Sequence, residues 1–152
     1  MKLQEYLTQQ KVAFDVREHL PAYTAQEVAA EEHVSGNIIA KVVVIQAEGA
    51  YAVCVLPASY KLDMAKVAKE LDVAKVRLAD ESALAKLFPD TEVGAEPPFG
   101  NLYNLPTLVD THLTTDEQIL FQAGDHRHAI CMSYADYERL VKPKVADLAV
   151  HL

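Results

Sequence analysis

Cysteine is scarce in this chain. Cys54 and Cys131 are the only two among 152 residues, and their separation matches no metal-binding pair. Cys54 lies inside a strand-like run, so two buried free thiols in a reducing compartment are expected rather than a disulfide. Long hydrophobic runs are missing, and none approaches the roughly 18 residues of a membrane span. The first ten residues, MKLQEYLTQQ, lack the apolar core of a signal peptide, so a cytoplasmic location without membrane association is expected. Positive charge is also in short supply: 14 Lys and Arg face 22 Asp and Glu, for a net charge of −8. That balance excludes a general nucleic-acid coat protein but leaves room for a local basic patch gripping one end of an RNA. Linkers and repeats are absent, as is any local Ser-His-Asp or Cys-His signature of a covalent nucleophile.

What remains is an ordinary globular composition, 51% apolar and 24% charged. The length predicts one domain, residues 1–152, large enough to bury a core without staples. Leu3 and Leu7 stand at helical spacing in residues 2–10. VAFDVREH alternates like a half-buried strand. Thr24 and Glu27 form a capping box for a helix through AQEVAAEEH, and Ser35-Gly36 ends that region. IIAKVVVIQ and AYAVCVLP, separated by Ala-Glu-Gly, predict a central hairpin. LDMAKVAKELD is amphipathic, KVRL is a short strand, and Asp80 caps a helix through ESALAKLF. LPTLVD, EQILFQAG and HAICM predict strands. Ser133 caps YADYERLV, which Pro143 stops. The tail KVADLAVHL alternates too weakly to assign. Helices interleaved with hairpin-type strands predict an α+β fold with a mixed, mostly antiparallel sheet.

Two features carry the chemistry. Lys41 stands at the mouth of an apolar strand, where a charge is costly to desolvate and needs a partner or a task. VGAEPPFG (93–100) then holds two prolines between Gly94 and Gly100. Such a segment fixes the backbone path and leaves amides free to face a ligand. A cation beside free amides suggests a pocket for an oxyanion or phosphate; separately, the two read as a snorkelling lysine and an ordinary loop.

The order of these motifs resembles the YbaK/prolyl-tRNA-synthetase-associated editing domain family over nearly the whole chain, from about Tyr23 to Val141. Lys41 falls at that family's lysine, Gly94 and Pro98 fit its G-x-x-x-P loop, Asp110 its aspartate and Gly124 its later glycine. The resemblance implies a barrel-like sheet flanked by helices, and hydrolysis of the ester of a mischarged tRNA, commonly tRNA for proline carrying Cys, Ala, Ser or Thr. It implies Lys41 as the catalytic residue and a substrate pocket from Gly94, Ala95, Pro98, Phe99, Gly100, Gly124, His126 and His128. The partners implied are the acceptor end of the tRNA and an aminoacyl-tRNA synthetase, with no cofactor. Val42 follows the lysine where some alanine-clearing relatives carry a polar residue, so the edited amino acid stays open.

Such chemistry is reasonable on general grounds. An aminoacyl ester is already activated, so its hydrolysis needs positioning and stabilisation of developing negative charge. Lys41 would hold a phosphate or the substrate carbonyl, and the loop amides would orient the amino acid or form an oxyanion hole. Other readings stay beside this one. The same pocket serves a non-catalytic module binding an amino acid, nucleotide or tRNA. Asp125, His126, His128 and His112 are a metal-site alternative without a recognised spacing. Asp110 orients a pocket group or caps the turn at Thr111. Phe14, Phe88 and Phe121 are core residues, as are the tyrosines of SYADYERLV. Lys61, Lys66, Lys69, Lys75 and Arg77, and separately Arg139, Lys142 and Lys144, are acceptor-stem candidates or simply solvated faces.

Overall fold

Two strands rich in Val and Ile form the centre of the molecule, β2 (Ala40–Ala47) and β3 (Ala50–Pro57). They pair antiparallel with Lys41 opposite Leu56 and Ala47 opposite Ala50. The connecting Glu48 and Gly49 both have positive φ, 49° and 83°, the left-handed pair whose twist suits a two-residue hairpin. This computed structural model describes residues 2–22, 24–32 and 35–152.

The hairpin anchors a five-stranded sheet in the order β5-β2-β3-β6-β9, where β5 is Arg77–Leu78, β6 Thr107–Asp110 and β9 Lys144–Ala146. β5 joins antiparallel, while β3–β6 and β6–β9 are parallel, so the sheet is mixed. A second, antiparallel sheet runs β1-β8-β7, from Phe14–Glu18, His128–Ser133 and Gln118–Gln122. A third is the pair β4 (Tyr60–Leu62) and β10 (Ala149–His151). The expected α+β class with a mixed, mostly antiparallel sheet is what the chain forms. Its barrel-like character stops short of closure: the two larger sheets meet at a parallel bridge between Ile39 and Leu120.

Among the described residues five α-helices surround the sheets: α1 (Lys2–Gln9), α2 (Ala25–Glu32), α3 (Met64–Leu71), α4 (Glu81–Leu87) and α5 (Tyr134–Val141). Their starts follow side-chain capping. Thr24, Asp63, Asp80 and Ser133 each accept a first-turn amide, from Glu27, Ala65, Ala83 and Asp136 respectively. The predicted end of α2 at His33, like Tyr23 and Val34, lies outside the described residues.

Three apolar clusters follow from this layering. The first fills the space between the two larger sheets, with Val44, Val53, Val55 and Val109 facing Ile119, Phe121, Ile130 and Met132. The second covers the other face of the five-stranded sheet with Val67 of α3 and with Ala146, Leu148 and Ala149 of the tail. In the third, Val28 and Ala29 of α2 pack on Ile39, Leu120 and Ala129. At about 25 cal/mol per Å², burying one such Leu, Ile or Phe is worth roughly 1.5–3 kcal/mol.

Three expectations are revised. The tail, unassigned from sequence, forms β9 and β10, completing one sheet and pairing with β4. The alternation in β1 does not govern its burial: Val16 is 43% exposed, because antiparallel pairing with β8 fixes this edge strand. Of the two free cysteines only Cys54 is buried, while Cys131 sits half-exposed on β8 with its Sγ toward Gln118. No helix among the described residues is long and apolar enough to cross a membrane.

Candidate active site

The seam between the two larger sheets creates the site. β2 leaves the five-stranded sheet at Ile39, whose bridge to Leu120 brings the strand's mouth beside the end of β7. α2 covers this junction from one side, and the segment 93–96 closes it from another. The result is a partly open pocket of about 150 Å³ lined by Ala25, Val28, Ile39, Ala40, Lys41, Val42, Gly94, Glu96 and Gln122. Lys41 and Gly94, 53 positions apart in the sequence, share it.

Lys41 is half-buried, and that desolvation pulls its ammonium below the usual lysine range. It forms no ion pair with any described residue. The pocket therefore holds a cation that pairs with no described carboxylate, beside walls of Val28, Ile39 and Val42.

The Gly/Pro segment is held from behind. Gly124 (φ 98°) turns the chain so that its amide donates to the Ala95 carbonyl at 3.1 Å and its carbonyl accepts from the Glu92 amide at 2.8 Å. The Glu92 carboxylate accepts from the His126 amide at 3.0 Å. The His126 ring is 8% exposed, with Nδ1 3.2 Å from the Ala22 carbonyl and Nε2 3.0 Å from the Val93 carbonyl. Gly94 has φ 91°, and a Cβ there would stand 3.4 Å from the His126 ring. Glycine is needed for that backbone conformation on that ring.

Of the nine site residues expected from sequence, only Lys41 and Gly94 line the pocket. Phe99 is fully buried in the first cluster, between Phe121 and Tyr137 at centroid distances of 5.5 and 5.3 Å. Ala95 is fully buried too, and the Pro98 carbonyl accepts from the Tyr137 hydroxyl at 2.6 Å. Gly100 lies so close to β6 that a Cβ would collide with Thr107 Oγ1 and with the Leu105 carbonyl, at 2.6 Å from the latter. Gly124 and His126 act as latches on the loop, and His128 donates from its ring to Asp125 at 2.7 Å. None of these seven lines the pocket; for Pro98 and Phe99 the reason is that Tyr137 and Phe121 hold the second half of the loop inward.

The loop amides differ from expectation as well. Gly94 N–H donates to Glu96 Oε2 at 2.7 Å, Ala95 N–H to the Glu92 carbonyl at 3.0 Å, and Phe99 N–H to the Pro97 carbonyl at 2.8 Å. Gly100 N–H donates to Thr107 Oγ1 at 3.1 Å. With these amides engaged, Lys41 is a cation lining the pocket without an ion pair among the described residues. Glu96, overlooked in the sequence, is a buried carboxylate 6% exposed in the pocket wall. Burial raises its carboxyl above the usual range, against the opposing pull of the Gly94, Glu96 and Ala95 amides and of His126. Its signal was an acidic residue inside a Gly/Pro segment otherwise made of small and apolar groups.

The metal alternative does not assemble as written. His112 donates to Asp110 at 2.7 Å, His128 to Asp125, and His126 faces the two carbonyls, so these rings serve different parts of the fold. Asp110, His112 and Asp147 do come within ligand reach of one another. Their acceptors are already engaged: Asp110 takes the Leu148 and His112 amides, and Asp147 takes Lys66 at 3.0 Å. Asp110 thus caps the turn at Thr111 and ties down the tail, instead of orienting a pocket group. Among the basic candidates, Lys66, Arg139 and Lys144 are paired with Asp147, Asp136 and Glu70. α3 packs in the second cluster, whereas pocket residues Ala40, Ile39 and Val28 belong to the first and third.

The model of the aminoacyl-tRNA editing domain matches this chain over residues 19–140. The chain belongs to the aminoacyl-tRNA editing domain family. Solved structures agree on the fold of this editing domain. A hypothetical protein superposes with a TM-score of 0.90 at 22% identity, covering 99% of this chain and 100% of that one. A proposed trans-editing enzyme for prolyl tRNA synthetase gives 0.85 at 24%, covering 98% and 95%. A proposed signal transduction protein from Marinobacter aquaeolei VT8 gives 0.75 at 16%; there the match spans 97% of this chain but 30% of that one, so the same fold is built into a longer protein.

Proposed function

We propose that this editing domain is an aminoacyl-tRNA deacylase acting in trans, which hydrolyses the ester of tRNA for proline carrying a small non-cognate amino acid. The observation that carries the reading is a half-buried Lys41, without an ion pair among the described residues, meeting Gly94 in one small pocket of an editing-domain chain. Similarity to a proposed trans-editing enzyme for prolyl tRNA synthetase supports the substrate and an aminoacyl-tRNA synthetase as partner. The acceptor end of the tRNA enters the pocket with the aminoacyl group foremost. Water attacks the ester carbonyl carbon, helped by the neighbouring ribose hydroxyl of the substrate itself. The carbonyl oxygen becomes negative and is held by the Lys41 ammonium. The bond from carbon to ribose oxygen then breaks, that oxygen takes a proton, and a free amino acid and uncharged tRNA leave. No hydroxyl or thiol lines the pocket among the described residues, which supports direct attack by water.

Size is the natural filter. A pocket of about 150 Å³ with apolar walls of Val28, Ile39 and Val42 suits a small aminoacyl group. One methylene is worth about 10–200-fold in discrimination, which is why a separate site is needed to correct small errors. The test is deacylation of tRNA for proline charged with Ala, Cys, Ser, Thr or Pro, by the wild type and by Lys41→Ala. Selective clearance of a non-cognate ester that the variant loses is expected. Turnover of none of them, or equal turnover by the variant, overturns the proposal.

A further inference from the structure

The pocket contains two acceptors that hydrolysis at Lys41 does not use. Glu96 is buried at 6% exposure; the Gly94 amide donates to its Oε2 at 2.7 Å and the Ala95 and Glu96 amides also bear on it, so part of the carboxylate's acceptor capacity remains open. No lysine or arginine among the described residues pairs with it, and the His126 ring is turned to the Val93 carbonyl at 3.0 Å. Gln122 lines the same pocket from the end of β7. Its Nε2 donates to the Ala22 carbonyl at 3.3 Å, which fixes the orientation of the amide. Its Oε1 is buried and meets no donor among the described residues. A buried acceptor without a donor costs about 1–3 kcal/mol, so the Gln122 oxygen, in the same pocket as the Glu96 carboxylate, marks where a donor-rich group belongs.

Charge adds a second constraint. Lys41 on one wall and Glu96 on another do not pair with each other, so the pocket offers one cation and one anion to whatever enters. A ligand matches when it carries a cation close to a group that is, or becomes, negative. An aminoacyl ester with a free α-amine does so, because its ammonium is one carbon from the carbonyl whose oxygen takes up charge. We propose that Glu96 and Gln122 form the subsite for the substrate's α-ammonium group, which orients the ester carbonyl toward Lys41. This rests on the deacylase reading for its substrate class. It extends that reading by making the free amine, besides side-chain size, a condition of binding.

The test is equilibrium binding of two non-hydrolysable probes. One is 3′-alanylamino-3′-deoxyadenosine; the other carries a propionyl group in its place, the same acyl chain without the amine. The wild type is expected to bind the alanyl probe at least about tenfold more tightly, as a charge-assisted contact would give. In Glu96→Gln the two affinities should come within about twofold, through loss of alanyl binding alone. Gln122→Leu should narrow the ratio in the same direction. A merely structural role for Glu96 would weaken both probes together and leave the ratio intact, which would overturn the proposal. Equal wild-type affinity for the two probes, or binding of neither, overturns it without reference to any variant. A tenfold preference in a protein that clears no ester keeps the subsite and removes the deacylase; clearance with equal affinities does the reverse.

Discussion

Replacing Lys41 by methionine separates a charge that works in the transition state from one that holds the fold. Methionine keeps most of the stem and deletes the ammonium. An ammonium about 4 Å from a developing oxyanion is worth roughly 4 kcal/mol at an effective dielectric constant of 20, and about 1 kcal/mol in bulk water. Lys41 is half-buried, between those limits, so the expected loss is about 3 kcal/mol, or on the order of 10²-fold in single-turnover deacylation. Stability should move differently. Burial places the folded-state pKa of Lys41 below its unfolded value, so the fold disfavours the charge at every pH below that folded value. The handicap shrinks as pH rises above it and is gone only above the unfolded value. Deleting the charge removes no ion pair with a described residue, so Tm near neutrality should hold or rise. A rate within about threefold of wild type would refute the transition-state role. A clear fall in Tm matching the lost rate would refute the division between function and fold.

Further outcomes follow from groups assigned to structure. Gly100→Ala should cost about 3 kcal/mol, from overpacking against Leu105 and Thr107 and a weakened amide bond, lowering Tm by roughly 6–12 °C; a calorimetric shift under about 2 °C would contradict the close approach. Asp110→Ala strips three bonds from a fully buried carboxylate, to the Leu148 amide and to the His112 amide and ring, and should cost about 3–5 kcal/mol by urea titration. A near-neutral result would instead show that the tail does not depend on Asp110. Burial pushes the Cys54 thiol up to about 12 and raises Cys131 less, so a thiol reagent near neutral pH should label Cys131 slowly and Cys54 only on unfolding. Rapid labelling of both would contradict the packing of β3.

Most local elements were legible because their causes are local. Helix starts were marked by Thr24, Asp80 and Ser133, whose side chains each accept the amide three residues on. The hairpin was marked by two β-branched runs around a glycine. The tail was illegible because Val145 and Val150 are 39% and 41% exposed, and β9 and β10 owe their form to pairing with β6 and β4. Phe99 and Gly100 were misplaced for a related reason. A Gly/Pro segment announces a fixed path but not which side of it faces the core, and here Tyr137, Phe121 and Thr107 decide that.

The sequence by itself determined that Lys41 needed a task, since a cation next to an Ile/Val strand carries its desolvation cost in any fold. It also determined that 93–100 would be a rigid loop and, through the order of its motifs, the family. Only the tertiary structure decided what meets at Lys41. The Ile39–Leu120 bridge brings β7 and Gln122 to the strand mouth, and the Gly124–His126 turn presses Gly94 and Glu96 into the same pocket. Those contacts join residues 29 to 81 positions apart. No local propensity encodes them, because they form when separate apolar faces are buried together.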